Sequence, residues 1–199
     1  MGQIYFEEEL QMIKNEEVRN CVIEVLKHVN DKFYHAAASS TGKYHPDYAL
    51  GDGGLYRHTR AAVKIANDLL SLEWYKDLFT DESKDIIIAA LILHDTCKSG
   101  KNWDSKYTMH THPIQAADLI EEVTGGTEYQ GTGIQIAKLV ATHMGQWNEP
   151  GRWNKYDDRA ILPKPEVEDE FFVHLCDYLA SRKFLEVKGV YDEEKELSV

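Results

Sequence analysis

Ile86-Ile87-Ile88-Ala89-Ala90-Leu91-Ile92-Leu93-His94-Asp95-Thr96-Cys97-Lys98-Ser99-Gly100 is the stretch on which the reading of this chain turns. Eight apolar residues run unbroken into an adjacent histidine and aspartate, and a polar turn with Lys98 and Gly100 follows. A segment this apolar, preceded by Asp81-Glu82-Ser83 as a helix start, reads as a helix buried on nearly all sides. Its C-terminal end then delivers an imidazole and a carboxylate into the interior. Each is costly there unless something satisfies it, and a divalent metal ion does that well. A His-Asp doublet arises readily by chance in a chain with 9 histidines, so the other histidines and aspartates must carry the argument.

Working outward, Leu55 to Leu72 turns Leu55, Ala62, Ile65, Ala66 and Leu69 to one helical face. On the other side, Pro113 stands where a first helical residue would, leading Ile114 to Val123, and Gly125-Gly126 ends that helix. Ile134 to Met144 reads as a further short helix. Val167 to Leu185 reads as the last strong one, with Phe171, Phe172, Leu175, Cys176 and Leu179. Residues 7 to 36 fit one or two amphipathic helices. Three polar stretches read as loops: Ala36 to Gly54, Lys101 to Thr111, and Gly145 to Pro165 with Trp147, Arg152, Trp153, Lys155 and Arg159. The tail from Glu186 looks solvated. With no repeat and no alternating strand pattern, the expected fold is all-α, about six or seven helices in a single domain over 1–199. The motif-bearing core spans about 44–183, and N-terminal helices lie in 1–36.

Composition narrows the function. The 199 residues are 43% apolar and 28% charged, as in a soluble globular protein. The longest apolar run, eight residues, is far below the ~20 that cross a bilayer, so no membrane association is expected. The acidic N-terminus does not read as a signal peptide. Three widely spaced cysteines, Cys21, Cys97 and Cys176, read as reduced thiols of a cytoplasmic protein. A net charge of −12 argues against extended nucleic-acid binding, although a local basic rim or a bound metal could still attract phosphate.

The candidate ligands fall at helix ends or on apolar faces. His58 lies one turn inside a helix, His94 and Asp95 end the buried helix, and His112 takes the N-cap position before Pro113. His143 ends the run Ile136 to Val140, and Asp177 sits beside Leu175 and Cys176. Imidazoles with two carboxylates make a mixed nitrogen and oxygen set suited to Mn, Fe, Co, Ni, Zn or Mg. The absence of paired cysteines argues against a structural zinc site. His110 rivals His112, and His174 shares a helical face with Asp177 as a supporting or plain core histidine. His28 and His35 read as structural or exposed. Lys98 is the phosphate-binding candidate, with His45 and Arg57 as further substrate candidates and Arg60 as a rim residue. The aromatic and basic loop from Gly145 to Arg159 could stack a base or form a dimer contact.

This order, a histidine, a His-Asp doublet and a distant aspartate, resembles the HD-domain superfamily of metal-dependent phosphohydrolases. The matching text is Gly53-Gly54-Leu55-Tyr56-Arg57-His58-Thr59, then Leu93-His94-Asp95-Thr96-Cys97-Lys98, then His174-Leu175-Cys176-Asp177-Tyr178-Leu179-Ala180-Ser181. His112-Pro113 with Ala116-Ala117, and His143 after Val140-Ala141-Thr142, are similar to segments of HD phosphodiesterases with two metals. The resemblance implies that His58, His94, Asp95 and Asp177 bind one metal. Asp95 would bridge to a second held by His112 and His143, giving two divalent ions per chain. It also implies hydrolysis of a phosphoester in a small nucleotide or short oligonucleotide, with Asp95 and Lys98 catalytic. A single-metal nucleotidase, in which His112 and His143 contact substrate, and a non-catalytic nucleotide-sensing module, remain alternatives, as does a homodimer.

Overall fold

The computed structural model describes residues 5–39, 42–150, 160–185 and 190. The described residues form nine α-helices: α1 (Glu7–Met12), α2 (Glu16–Leu26), α3 (Lys32–His35), α4 (Gly54–Ser71), α5 (Glu73–Leu78), α6 (Asp81–Leu93), α7 (His112–Thr124), α8 (Gln130–Thr142) and α9 (Glu168–Ala180). Single 3₁₀ turns lie at Asp47–Ala49 and Gly145–Trp147, and no strand occurs among the described residues. The fold is all-helical, as expected. The helix number exceeds six or seven because α1, α3 and α5 span only four to six residues, too short for a 3.6-residue period to show.

Helix α6 is the axis of the molecule. The Thr80 hydroxyl accepts from the Ser83 backbone N–H at its start, and Asp81 and Glu82 oppose the helix dipole there. From Asp85 to Leu93 every residue is buried, with α1, α2, α4, α8 and α9 packed around it. Five surrounding helices leave no side for polar residues, which explains the unbroken apolar run. Truncating a fully buried member such as Leu91 to alanine costs ~2–5 kcal/mol. Asp85 fixes the other end of the axis. Its carboxylate accepts from the backbone N–H groups of Lys14 at 2.9 Å and Asn15 at 2.7 Å, and the Asn15 side chain in turn caps α2.

Helix α4 is tied down at its start by the preceding loop. A Cβ on Gly54 would lie 2.3 Å from the Ala49 carbonyl oxygen, so only glycine lets the 3₁₀ turn seat there. The Tyr48 hydroxyl donates to the Ala180 carbonyl at 2.9 Å, linking that loop to the end of α9. Farther along, buried Arg60 donates to Glu9 and Glu8 of α1.

Several element boundaries differ from the sequence reading. His112 is the first helical residue of α7 and Thr111 its N-cap. Helix α8 begins at Gln130, four residues before Ile134, carried by its long contact with α7. Helix α9 ends at Ala180 rather than Leu185. The Ser181 hydroxyl donates to the Tyr178 carbonyl, and the Lys183 N–H turns away to the Tyr44 carbonyl. Arg152, Trp153, Lys155 and Arg159 lie outside the described residues, as does the tail from Glu186 apart from buried Val190. Cys21, Cys97 and Cys176 are buried and form no disulfide. No helix among the described residues is long and apolar enough to cross a membrane.

Candidate metal centre

Five helices converge on one point inside the protein. Helix α4 supplies His58 from its second turn, α6 ends in His94 and Asp95, and α7 begins with His112. His143 caps the end of α8, and Asp177 lies in the last turn of α9. His58 Nε2 is 3.0 Å from Asp177 Oδ1 and 3.8 Å from Asp95 Oδ2. His94 Nε2 lies 3.3 Å from Asp95 Oδ2 and 3.5 Å from Asp177 Oδ1. On the opposite side, Asp95 Oδ1 lies 3.1 Å from His112 Nε2 and 3.9 Å from His143 Nε2. Two groups could therefore hold a metal ion, His58 with His94 and Asp95, and Asp95 with His112 and His143. Asp95 is common to both.

The backbone decides which ring nitrogen each imidazole offers. Nδ1 of His94, His112 and His143 lies 2.7, 2.6 and 2.7 Å from the carbonyls of Leu91, Met109 and Val140, three residues back in each case. A carbonyl only accepts, so Nδ1 carries the proton and a neutral ring presents its Nε2 lone pair to Asp95. His112 Nε2 and His143 Nε2 are 3.1 Å apart. Two neutral rings at that separation would face lone pair to lone pair, an arrangement that a shared cation relieves. Asp95 Oδ1 and His94 Nε2 are also buried without a hydrogen-bond partner. Orphaned donor atoms aimed at a common point, each ring oriented by a carbonyl behind it, fit divalent metal ions.

Burial would raise the Asp95 carboxyl, yet Lys98, His94 and His112 hold it well below the usual carboxylate range. Burial would likewise raise Asp177, and the facing His58 and His94 imidazoles keep it well below that range too. Burial alone would lower the His94 imidazole, but Asp95 and Asp177 push it up to about 10. His143 goes the other way, down to about 3, through burial and the neighbouring His94 and His112.

One edge of the cluster meets solvent. Side-chain exposure is 21% for Asp177 and 15% for Lys98, while His58, His94, Asp95, His112 and His143 are almost wholly buried. Lys98 stands in that mouth, paired with Asp95 Oδ2. His45 lies beside it, its ring edge-on to His58 at 5.6 Å between centroids and its buried Nδ1 without a hydrogen bond. Burial, then the charges of His58 and Lys98, push the His45 imidazole down to about 4.

Other expected positions fall elsewhere. Arg57 does not reach the rim. It is buried, its Nε donating to the Tyr48 carbonyl and its Nη2 to those of Leu50 and Asp52, so it braces the loop before α4. Arg60 points to Glu9 instead of the site. His110 turns Nε2 to the carbonyls of Asn148 and Ala160, leaving the cluster to His112. His28 pairs with Glu24, and His35 with Asp31 and Asp52, in exposed positions. His174 Nδ1 donates to the His143 carbonyl at 2.8 Å, so it steadies a cluster residue through the backbone. Gly145 makes room for it: a Cβ there would sit 2.4 Å from the His174 ring, and φ is +56°. The carbonyls of Leu91, Met109 and Val140 are the part that sequence reasoning missed. The signal available was a histidine at or next to a helix end with a carbonyl three residues back.

A family model described as HD domain matches residues 55–182, well over half of the chain, and includes the six clustered residues and Lys98. The protein belongs to the HD domain family, whose members are generally metal-dependent hydrolases. No curated protein and no solved structure matches the chain.

Proposed function

We propose that this protein is a metal-dependent phosphohydrolase that cleaves a phosphoester of a nucleotide or oligonucleotide, with two divalent ions per chain. One observation carries the reading: the two oxygens of Asp95 face different histidine pairs, Oδ2 toward His94 and His58 and Oδ1 toward His112 and His143. A carboxylate so divided is suited to bridging two ions. Bound Mn, Fe, Co, Ni, Zn or Mg would neutralise phosphoryl oxygens and make a water acidic enough to attack at neutral pH. Asp95 holds the two halves in register, and Asp177 closes the first half at the mouth. Lys98 offers its ammonium to a phosphate oxygen arriving through that mouth, exchanging its contact with Asp95 for one with substrate. His45 is placed to donate or accept a hydrogen bond at the rim. The three unpaired cysteines support a cytoplasmic setting.

The test is metal analysis of the purified protein, then a panel of nucleoside mono-, di- and triphosphates, cyclic dinucleotides and short single strands. Chelation should inactivate it, and Mn, Co or Ni should restore it at least as well as Mg, because imidazole ligands favour those ions. Protein that retains no ion and cleaves nothing on the panel overturns the reading. A single-metal nucleotidase is the second reading, favoured by the 3.1 Å His112–His143 contact, which one extra proton could satisfy without an ion. One ion per chain at saturation would select it.

A further inference from the structure

Next in the chain to two residues of the mouth, Asp177 and His45, lies a run of rings and cations that the chemistry above does not use. Trp147 stacks on Tyr178, centroids 5.6 Å apart and planes 20° apart. The Arg182 guanidinium lies 4.5 Å from the Tyr178 ring centroid and 5.8 Å from that of Tyr44, and Lys43 Nζ lies 5.0 Å from the Tyr44 ring. The series therefore reads Trp147, Tyr178, Arg182, Tyr44, Lys43. It adjoins the site at two points. Tyr178 follows Asp177, the most exposed of the six clustered residues, and Tyr44 precedes His45. Trp147 is 43% exposed and Tyr44 55%.

The fold positions this run closely. Gly145 passes over the His174 ring where no side chain would fit, and that turn brings Trp147 down on α9, its edge against His174 at 5.5 Å. Lys183 N–H holds the Tyr44 carbonyl, fixing the far end of the series to the residues after α9. On a chain of net charge −12, this run sets large ring surfaces, left partly in water, next to cations. Ring faces suit bases and the interleaved cations suit phosphates, the combination that binds unpaired nucleotides with little sequence preference.

We propose that Trp147, backed by Tyr178 and Arg182, stacks an unpaired nucleobase of the molecule whose phosphoester enters the cluster. The reading of the cluster as a phosphohydrolase site supplies the phosphoester, and the stack makes Trp147 a specificity-determining residue for it. The occupant is a nucleotide or the end of a short single strand, which share this chemistry.

The experiment compares the dinucleotide pTpT with the same phosphates on abasic sugars, and with thymidine monophosphate. It uses wild type, Trp147→Ala and Trp147→Phe with Mn present, each first checked for an unchanged melting temperature. Wild type should prefer pTpT over the abasic analogue by roughly ten- to a hundredfold in KM, with kcat much less affected. Trp147→Ala should erase that preference and Trp147→Phe should restore most of it. Quenching of tryptophan emission by pTpT reports binding without turnover, and the part due to Trp147 should vanish in both variants. Equal KM for pTpT and the abasic analogue in wild type would overturn the proposal, as would equal losses on both in Trp147→Ala. Base-dependent binding with no cleavage would uphold the stack and sink the hydrolase reading instead. Thymidine monophosphate binding as tightly as pTpT, with the same loss in Trp147→Ala, would uphold the stack and identify the nucleotide as occupant; weaker binding would uphold it for the strand.

Discussion

The two halves of the cluster share Asp95 and are built on different plans. In the half made by Asp95, His112 and His143, both imidazoles are set by their own helix ends, each Nδ1 held by a carbonyl three residues back. That half is fully buried and holds one carboxylate. The half made by His58, His94, Asp95 and Asp177 brings two carboxylates together, opens to solvent at Asp177, and includes His58, whose Nδ1 has no partner. In one half every imidazole is oriented by its own helix end; in the other only His94 is, and His58 and Asp177 depend on α4 and α9 meeting correctly. The comparison teaches that a ligand set can be rigid on one side and dependent on tertiary packing on the other, with a single residue joining the two.

The largest way to break the comparison is to remove the joint. Asp95→Ala should lower hydrolysis by more than about a thousandfold and empty both halves, while far-UV circular dichroism stays nearly unchanged. Full activity in that variant would dissolve the site. Next come substitutions confined to one half. His143→Ala should lose about one of two ions and keep the other, whereas Asp177→Asn should weaken the half that His143→Ala spares. One ion in both wild type and His143→Ala would reduce the site to a single metal, and loss of all metal with an intact helical spectrum would show that the halves fill only together.

A smaller effect is expected at the mouth. Lys98→Ala should lower turnover about a hundredfold with metal content unchanged, since on the proposed reading it removes a donor to phosphate and no ligand. Unchanged kinetics would leave Lys98 as a partner of Asp95 alone.

Proton release sharpens the contrast most finely. His94, pushed up to about 10, holds a proton at pH 7 that an ion in its half must displace. His143, pushed down to about 3, has none to give. Metal competes with that proton, so apparent affinity in the first half should rise about tenfold per pH unit up to the His94 value. Calorimetry of His143→Ala, in buffers of different ionisation enthalpy, should find close to one proton released per ion bound. No release would mean that His94 is already neutral.

Much of this was legible in the sequence, for identifiable reasons. The run from Ile86 to Leu93, behind the helix start at Asp81-Glu82-Ser83, read as a buried helix, and each of the six clustered residues stood where a lone polar group would be stranded. Contacts distant in sequence left no such trace. Arg57, expected at the rim, serves three loop carbonyls, and nothing in its neighbours distinguishes that from solvent exposure. The double hold of Asp85 on Lys14 and Asn15 spans about seventy positions. The seating of Trp147 on α9 depends on Gly145 clearing His174, a steric fact that no periodicity encodes.

The hydrogen bond between His58 and Asp177 spans 119 positions, and that separation bears on biosynthesis. At ribosomal speeds of roughly 5–20 residues per second, roughly 6–24 s pass between the two residues leaving the peptidyl centre. Once His143 has been made and before Asp177 follows, the nascent chain carries four histidines and Asp95 without its closing carboxylate. Such a nitrogen-rich set ranks ions by the Irving–Williams series, with copper, nickel and zinc ahead of manganese and magnesium. On the two-ion reading, the metal in the finished protein then depends on which free ions surround the translating ribosome. A chain made in a zinc-rich cell and the same chain refolded in manganese should hold different ions.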